Sequence, residues 1–291
     1  MAADCSSLQR FIIDVKYDKM RERRQKLMRE RLYIASVSQD AVRLAAEYGI
    51  GLELDHYCTA ENMDGPMAEQ VHQQVLAEID QAVRECPGER EEQLPLIFHA
   101  PFNELHPAAI DPKIKVIAYQ RYQQAYCLAK ERYQIHKMIV HSGYMPYVYY
   151  KAWHQEKSVE FWERYMEDKP ENFTICIENV LEDEPDMMVK IVEKLQRPNV
   201  KLCLDLGHAN CMSRLPAEEW IRVMGTHIGH LHIHNNDGTH DQHNALSKGT
   251  LDMERILEDI DRYCEKTATI TIESLDGRAS LQWLKQQGYL K

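Results

Sequence analysis

Eight short apolar runs recur along this chain, and each is followed by a stretch with helical periodicity. The runs are Arg31–Val37, Ile50–Asp55, Leu94–His99, Lys137–His141, Phe173–Glu178, Val200–Asp205, Ile228–His234 and Ala268–Glu273. Near-continuous apolar runs of this length, rich in Val and Ile, read as strands covered on both faces, which is the pattern of a parallel sheet. Helices are expected over 39–48, 64–85, 110–133, 158–167, 185–195, 217–224, 251–263 and 278–287. Ser38 is expected to cap the first of these, Gly49 to end it, and Pro87 and Gly88 to break the chain after the second. A doubly wound open sheet would want a Gly-rich loop after the first strand, where this chain has Ser36-Val37-Ser38-Gln39-Asp40. Eight strand–helix units argue instead for an α/β fold closed as a (β/α)8 TIM barrel, occupying residues 32–291 as one domain.

Residues 1–31 stand outside the repeat and form an N-terminal extension. Within it Met20–Arg31 is a charged run with helical composition. It reads as a solvated helix face or arm, or else as an oligomer contact or a cover over one end of the fold.

The chain carries 46 acidic against 35 basic residues, a net charge of −11. Binding to phosphate backbones or anionic membranes rests on Lys and Arg, so this balance argues against both partners. The eight cysteines are scattered with no CxxC pair, and no run approaches the roughly 18 apolar residues of a membrane span. Asp4 and Asp14 flank only three apolar residues near the start, unlike a signal peptide. The expectation is a cytoplasmic protein with reduced thiols, compatible with a homo-oligomer.

Chemistry concentrates where the strands end. His99, His141, Glu178 and Asp205 close strands three to six, His208 follows at once, strand seven carries His232, and strand eight ends in Glu273. In a TIM barrel these positions share the catalytic rim. Burying each such group without a partner costs about 1–3 kcal/mol, whereas a metal ion satisfies them together. Imidazole and carboxylate donors without thiolate suit Zn, Mn, Fe or Co. The densest stretch is Gly229–Gly249: His230, His232 and His234 alternate with Leu231 and Ile233, Asn235 to Gly238 end the strand, and Asp241 and His243 follow. Alternation puts the three imidazoles on one face.

Other positions carry weaker signals. His56 and Glu53 stand at the second strand as substrate contacts or hydrogen-bonded rim residues. His230 lies deeper than His232 and reads as a satisfied core histidine, while His234 lies nearer the mouth. His136 and His227 precede their strands and belong to the far rim. Tyr144, Tyr147, Tyr149, Tyr150 and Trp153 form an aromatic loop suited to a sugar face. Lys248 and Gly249 precede a helix whose N-terminus suits a phosphate.

The segments GLEL (51–54), FHAPF, CIEN, CLDLGHAN, HLHIHNNDG, DQH and TIES, taken in this order, resemble the xylose-isomerase-like TIM-barrel superfamily over about residues 32–287. That group holds sugar-phosphate isomerases and epimerases together with abasic-site nucleases of the endonuclease IV type. The epimerase branch implies one metal on Glu178, Asp205, His232 and Glu273, with Glu178 and Glu273 as the acid/base pair and His208 against substrate. Its substrate-binding Arg has no counterpart here, since Gly238 and Thr239 lie near that place. The nuclease branch implies three zinc ions on nine positions: His99, His141, Glu178, Asp205, His208, His232, Asp241, His243 and Glu273.

Two enzymatic expectations follow. The first is a metal-dependent isomerase or epimerase of a small sugar or sugar phosphate. In it Glu178, Glu273 and His208 are catalytic, His56, His99, His234 and Lys248 face substrate, and one to three divalent ions, Zn or Mn, are bound. The second is a multi-metal phosphoester hydrolase. A non-enzymatic binding protein on the same fold is the third reading, disfavoured by so many acid/base groups on one rim.

Overall fold

The computed structural model describes residue 22 and residues 24–86 and 93–291 of the chain. Most of the N-terminal extension and the Pro87–Gly88 break lie outside the described residues. Eight parallel strands close into a barrel in chain order: β1 Leu32–Ala35, β2 Gly51–Leu54, β3 Leu96–His99, β4 Lys137–His141, β5 Thr174–Glu178, β6 Val200–Asp205, β7 Ile228–Ile233 and β8 Thr269–Ile272. Strand β8 pairs back onto β1 through Ile272 and Ile34. The chain returns through α1 Ala41–Tyr48, α2 Gly65–Glu85, α3 Pro112–Arg132, α4 Lys151–Tyr165, α5 Asp186–Leu195, α6 Leu206–Met212, α7 Ala217–Met224, α8 Met253–Tyr263 and α9 Gly277–Gln286.

The pleat sorts the side chains into two sets. Leu52, Phe98, Met138, Val140, Ile175, Leu202, Leu231 and Ile270 face outward and pack with the helices in one large core. Ile97, Ile139, Cys176 and Cys203 form a separate apolar cluster inside the barrel, with Tyr33 against it. A methyl group at position 51 would lie 2.1 Å from the Tyr33 ring, so only glycine there lets Tyr33 fill the interior. Lys137 completes this floor, its Nζ donating to the Gly229 carbonyl at 3.0 Å and to Thr269 Oγ1 at 2.8 Å. Above it the inward positions turn polar, and they carry the site.

Local chemistry explains most boundaries and corrects several expectations. Gly49 closes α1 at φ +62, its N–H reaching the carbonyls of Ala45 and Ala46. Asp111 caps α3 through Lys113 N at 2.7 Å, with Pro112 in the first turn. Ser38 is not the cap of α1: that position falls to Asp40, whose side chain makes no capping bond. The Ser38 hydroxyl instead binds the Ser274 carbonyl across the barrel seam. Helix α4 begins at Lys151, not near Ser158, so Trp153 and His154 are helical. The DLGHAN turn is itself the short helix α6, capped by Asp205 Oδ1 accepting from His208 N at 2.6 Å.

Residues 24–31 are helical. Gln25 Nε2 donates to the carbonyls of Gly288 and Leu290, both at 3.2 Å, and the Arg24 guanidinium sits 3.9 Å over the Tyr289 ring. Met28 is buried in the main core. The seven cysteines among the described residues are free. Among those residues no helix is long and apolar enough to cross a membrane.

Candidate metal centre

Glu178, at the tip of β5, is the hub of the rim. Its Oε2 lies 3.3 Å from His99 Nε2 and 3.4 Å from His141 Nε2. Its Oε1 lies 3.1 Å from His232 Nδ1 and 3.5 Å from His208 Nδ1. The same His232 Nδ1 lies 3.1 Å from Glu273 Oε2 and 3.7 Å from Asp205 Oδ2. Three carboxylates, from β5, β6 and the end of β8, thus converge on one imidazole nitrogen.

The other nitrogen of that ring is taken. His232 Nε2 donates to Glu53 Oε1 at 3.0 Å, and Glu53 also accepts from His230 Nε2 at 3.0 Å and Thr271 Oγ1 at 2.5 Å. A neutral ring donating from Nε2 presents only a lone pair at Nδ1, facing three negative groups. That arrangement is repulsive unless a proton or a metal cation stands among them. In the metal-free protein the ring holds the proton. Burial alone would lower the His232 pKa, but the carboxylates of Glu273, Glu53 and Glu178 raise it well above the ordinary value.

Three further imidazoles are oriented in the same way. His99 Nδ1 donates to the Ala100 carbonyl at 3.0 Å, His208 Nδ1 to the Asn179 carbonyl at 2.9 Å, and His243 Nδ1 to the Glu273 carbonyl at 2.8 Å. Each bond fixes a tautomer and leaves Nε2 aimed at a carboxylate: Glu178 for His99, and Asp241 Oδ2 for His208 and His243 at 3.3 and 3.0 Å. Outer hydrogen bonds of this kind hold metal-ligating imidazoles. His141 is set differently, stacked on Phe102 with ring centroids 4.1 Å apart. Glu178 Oε2, Asp205 Oδ2, Glu273 Oε2 and both nitrogens of His234 are buried without a hydrogen-bond partner. The donor atoms fall into groups compact enough for an ion: Glu178 with Asp205, His232 and Glu273; Glu178 with His99 and His141; and His234 with Asp241 and His243. Orphaned carboxylate oxygens beside tautomer-fixed imidazoles fit a divalent cation. Two groupings deeper in the barrel, Glu53–His99–His232 and Cys203–His230–His232, share His232 with the hydrogen bonds already described. Burial raises the Cys203 pKa well above the ordinary value and keeps it a thiol.

The electrostatics follow from this packing. Burial would push the Asp205 carboxyl up, but His208 and His234 hold it below the usual range. Burial would lower His99 and His243, yet Glu178 raises the first and Asp241 the second, both to about 9. His230 goes the other way: burial outweighs Glu53 and lowers it to about 4. His230 Nδ1 is satisfied by Thr269 Oγ1 at 2.6 Å, in keeping with a core histidine.

Several contributors were not singled out from the sequence. Asn179 ties β5 to β6, its amide donating to the Asp205 carbonyl at 3.0 Å and its oxygen accepting from Asp205 N at 2.9 Å. Glu182 is buried and accepts from Val180 N at 2.7 Å and Leu181 N at 3.1 Å, and it also binds the Ser142 hydroxyl at the end of β4. Asp55 Oδ2 accepts from Ser36 Oγ and Val37 N, both at 3.2 Å; burial and the nearby Glu53 push its carboxyl up to about 7. Glu53 itself is a fully buried interior residue rather than a rim contact.

The remaining expected positions lie elsewhere. His56 lines an outer crevice with Arg43, Glu78 and Gln81, between α1 and α2. Lys248 is exposed, and the N-terminus of α8 already holds a carboxylate, Asp252 accepting from Arg255 N at 3.2 Å. In the aromatic loop Tyr144 is buried while Tyr147 and Tyr150 are exposed. His136 lies beside Lys130 and His227 beside Glu193, each ahead of its strand.

A closed parallel barrel with His, Asp and Glu gathered at the strand C-termini defines a class, and the xylose isomerase-like TIM-barrel family model matches residues 42–287. The chain belongs to that family. Among curated proteins, an uncharacterised protein of Methanocaldococcus jannaschii is 26% identical over 190 residues, covering 57% of this chain and 60% of the relative's length. This chain therefore spans less than two thirds of that relative. The TTHB071 protein of Thermus thermophilus, solved after soaking with zinc chloride, superposes with a TM-score of 0.66 at 21% identity over 89% of this chain and 97% of its own. A D-tagatose 3-epimerase-like protein gives 0.67 at 20% identity over 89% and 96%. At these identities the likeness is one of fold.

Proposed function

We propose that the protein is a metal-dependent isomerase or epimerase of a small sugar or sugar phosphate. The observation that carries this is the convergence of Glu178, Asp205 and Glu273 on His232 Nδ1 while Glu53 occupies Nε2. Glu178, Asp205, His232 and Glu273 would hold a divalent ion, Zn or Mn. When bound there, such an ion supplies Lewis-acid polarisation of a substrate carbonyl and its neighbouring hydroxyl. Glu178 and Glu273 stand three strands apart around the rim, suited to removing a proton from one face of the substrate carbon and returning one to the other. His208 Nε2 and His99 Nε2, tautomers fixed by backbone carbonyls, orient the substrate hydroxyls. Family membership and the epimerase-like neighbour support this reading.

A second reading, a multi-metal phosphoester hydrolase, is favoured by one specific observation: besides the two deeper groupings, the donors form three groups at the rim, and Glu178 belongs to two of them. The two readings separate on chemistry. The metal-loaded protein is incubated in D2O with a panel of ketoses and sugar phosphates, and deuterium at carbon is followed by NMR, beside a panel of phosphomonoesters and phosphodiesters. Deuterium incorporation that is lost in Glu273→Gln is expected. Phosphoester cleavage with no exchange on any sugar would overturn the isomerase reading in favour of the hydrolase.

A further inference from the structure

The barrel floor has an underside, and a cleft of about 880 Å3 opens beneath it, at the end opposite the rim. Tyr33, Ile97 and Lys137 belong to both the floor and the cleft. The apolar part of the lining comes from α2, where Leu76, Ile79 and Val83 fall on one helix face, and from Leu94 and Leu96, which lead into β3. Leu76 keeps 37% of its surface exposed there. The polar part of the lining inverts the charge of the chain. Arg84, Arg132 and Lys137 stand against one acidic group, Asp80, in a protein of net charge −11.

These cations retain donors. Lys137 Nζ carries three N–H groups and uses two, on the Gly229 carbonyl and Thr269 Oγ1. Arg132 Nη2 meets Glu69 Oε2 at 3.2 Å, but both side chains are about half exposed, so the pairing is weak and most of the guanidinium fork stays open. His136, also in the lining, has Lys130 Nζ 3.2 Å from its Nδ1; an ammonium only donates, so Nδ1 accepts and Nε2 bears the proton. We infer that this cleft binds a small organic anion, a phosphate, carboxylate or sulfonate carried on an apolar or planar body. The volume falls within the roughly 300–1,000 Å3 of small-molecule sites, far more than an inorganic anion fills. The α2 and β3 side chains take the body. Arg84, Arg132 and Lys137 take the charge, the two guanidinium forks matching the geometry of a carboxylate or phosphate. The site lies at the far end of the barrel from Glu178 and stands independently of the function proposed above.

The probe is 1-anilinonaphthalene-8-sulfonate, a planar apolar body with one anionic group. It is titrated into the native full-length chain and followed by its fluorescence. Saturable binding at one site per chain is expected, and it should weaken as salt is raised. Arg84→Glu and Leu76→Asp are each expected to lower affinity about tenfold. Both positions are exposed, so urea midpoints should stay within the small range of surface substitutions. Glu273→Gln at the rim is expected to bind the dye like the wild type. A wild type without saturable binding, or affinity unchanged in both cleft variants, would overturn the site. Binding lost in Glu273→Gln would put the dye at the rim and overturn it equally. A fall in Leu76→Asp with none in Arg84→Glu would overturn the anion assignment. If Leu76→Asp does not fold, Arg84→Glu and the salt dependence decide in its place.

Discussion

Glu53 and His232 meet inside the barrel, carboxylate oxygen to ring nitrogen at 3.0 Å, with both side chains fully buried. The pair sets which nitrogen of His232 is offered to the rim. Burial would raise the Glu53 carboxyl, but His232 and His230 hold it well below its ordinary range, so it stays a pure acceptor. Replacing Glu53 by Gln keeps the shape and removes the charge. The expected result is a fall in ion affinity at the rim centre of about 10–100-fold, the usual scale for losing an outer partner of a ligating histidine. Competition against a chelator of known affinity measures it, and unchanged affinity would mean that the pleat alone orients the ring.

Ion loading should depend on pH beyond the range of an ordinary histidine. In the metal-free protein the carboxylates around His232 hold its proton well above the ordinary histidine range. Ligation needs the neutral ring, so binding must expel a proton and strengthen as pH rises above neutrality. Calorimetry at pH 8 in two buffers of different ionisation enthalpy reads the protons released. Zero release would contradict the raised value.

Acid stability should turn on a residue remote from the rim. His154 on α4 is fully buried between Tyr144 and Tyr149, with centroids 5.1 and 5.8 Å away and neither ring nitrogen partnered. Burial, aided by His106, lowers its pKa to about 4. Between that value and the ordinary 6.5 the unfolded chain binds the extra proton, so stability is lost as pH falls through this window. The loss by pH 4 is of the order of 3 kcal/mol. His154→Phe should narrow the gap in denaturation midpoint between pH 7 and pH 5. An equally acid-sensitive variant would place the sensitivity in His230 or His141 instead.

Gly207→Ala tests the packing of the β6–α6 turn. The new methyl group would overlap the His234 ring, and overpacking of this kind costs about 1–3 kcal/mol. Urea denaturation should show that loss as a lower midpoint with an unchanged slope. A variant as stable as wild type would mean that His234 moves freely.

The strands and their order were legible in the sequence because a parallel barrel needs strands covered on both faces, and eight short apolar runs recur with helical stretches between them. The rim was legible for the same reason: Glu178, Asp205 and His232 break those runs at their ends. What sequence could not convey depends on distant partners. Glu53 looked like a rim residue because nothing local shows that β2 pairs Glu53 with Ala35 on one side and Ile97 on the other, well below the mouth. Ser38 had the chemistry of a cap, but its hydroxyl partner lies 236 residues away. Helix α4 begins earlier than expected, at Lys151, and its first turn is held by a distant partner, Trp153 Nε1 donating to the Ala108 carbonyl at 3.3 Å. His56, two positions beyond Leu54, shares that residue's outward parity and lies in the crevice between α1 and α2.

The floor made by Tyr33, Ile97, Ile139, Cys176, Cys203 and Lys137 fills the barrel interior below the donors. Asp241 and His243, joined at 3.0 Å and partly exposed, stand on the solvent side of the donor cluster. Anything that pins or frees the loop carrying those two residues therefore changes how readily solvent reaches the donors beneath it.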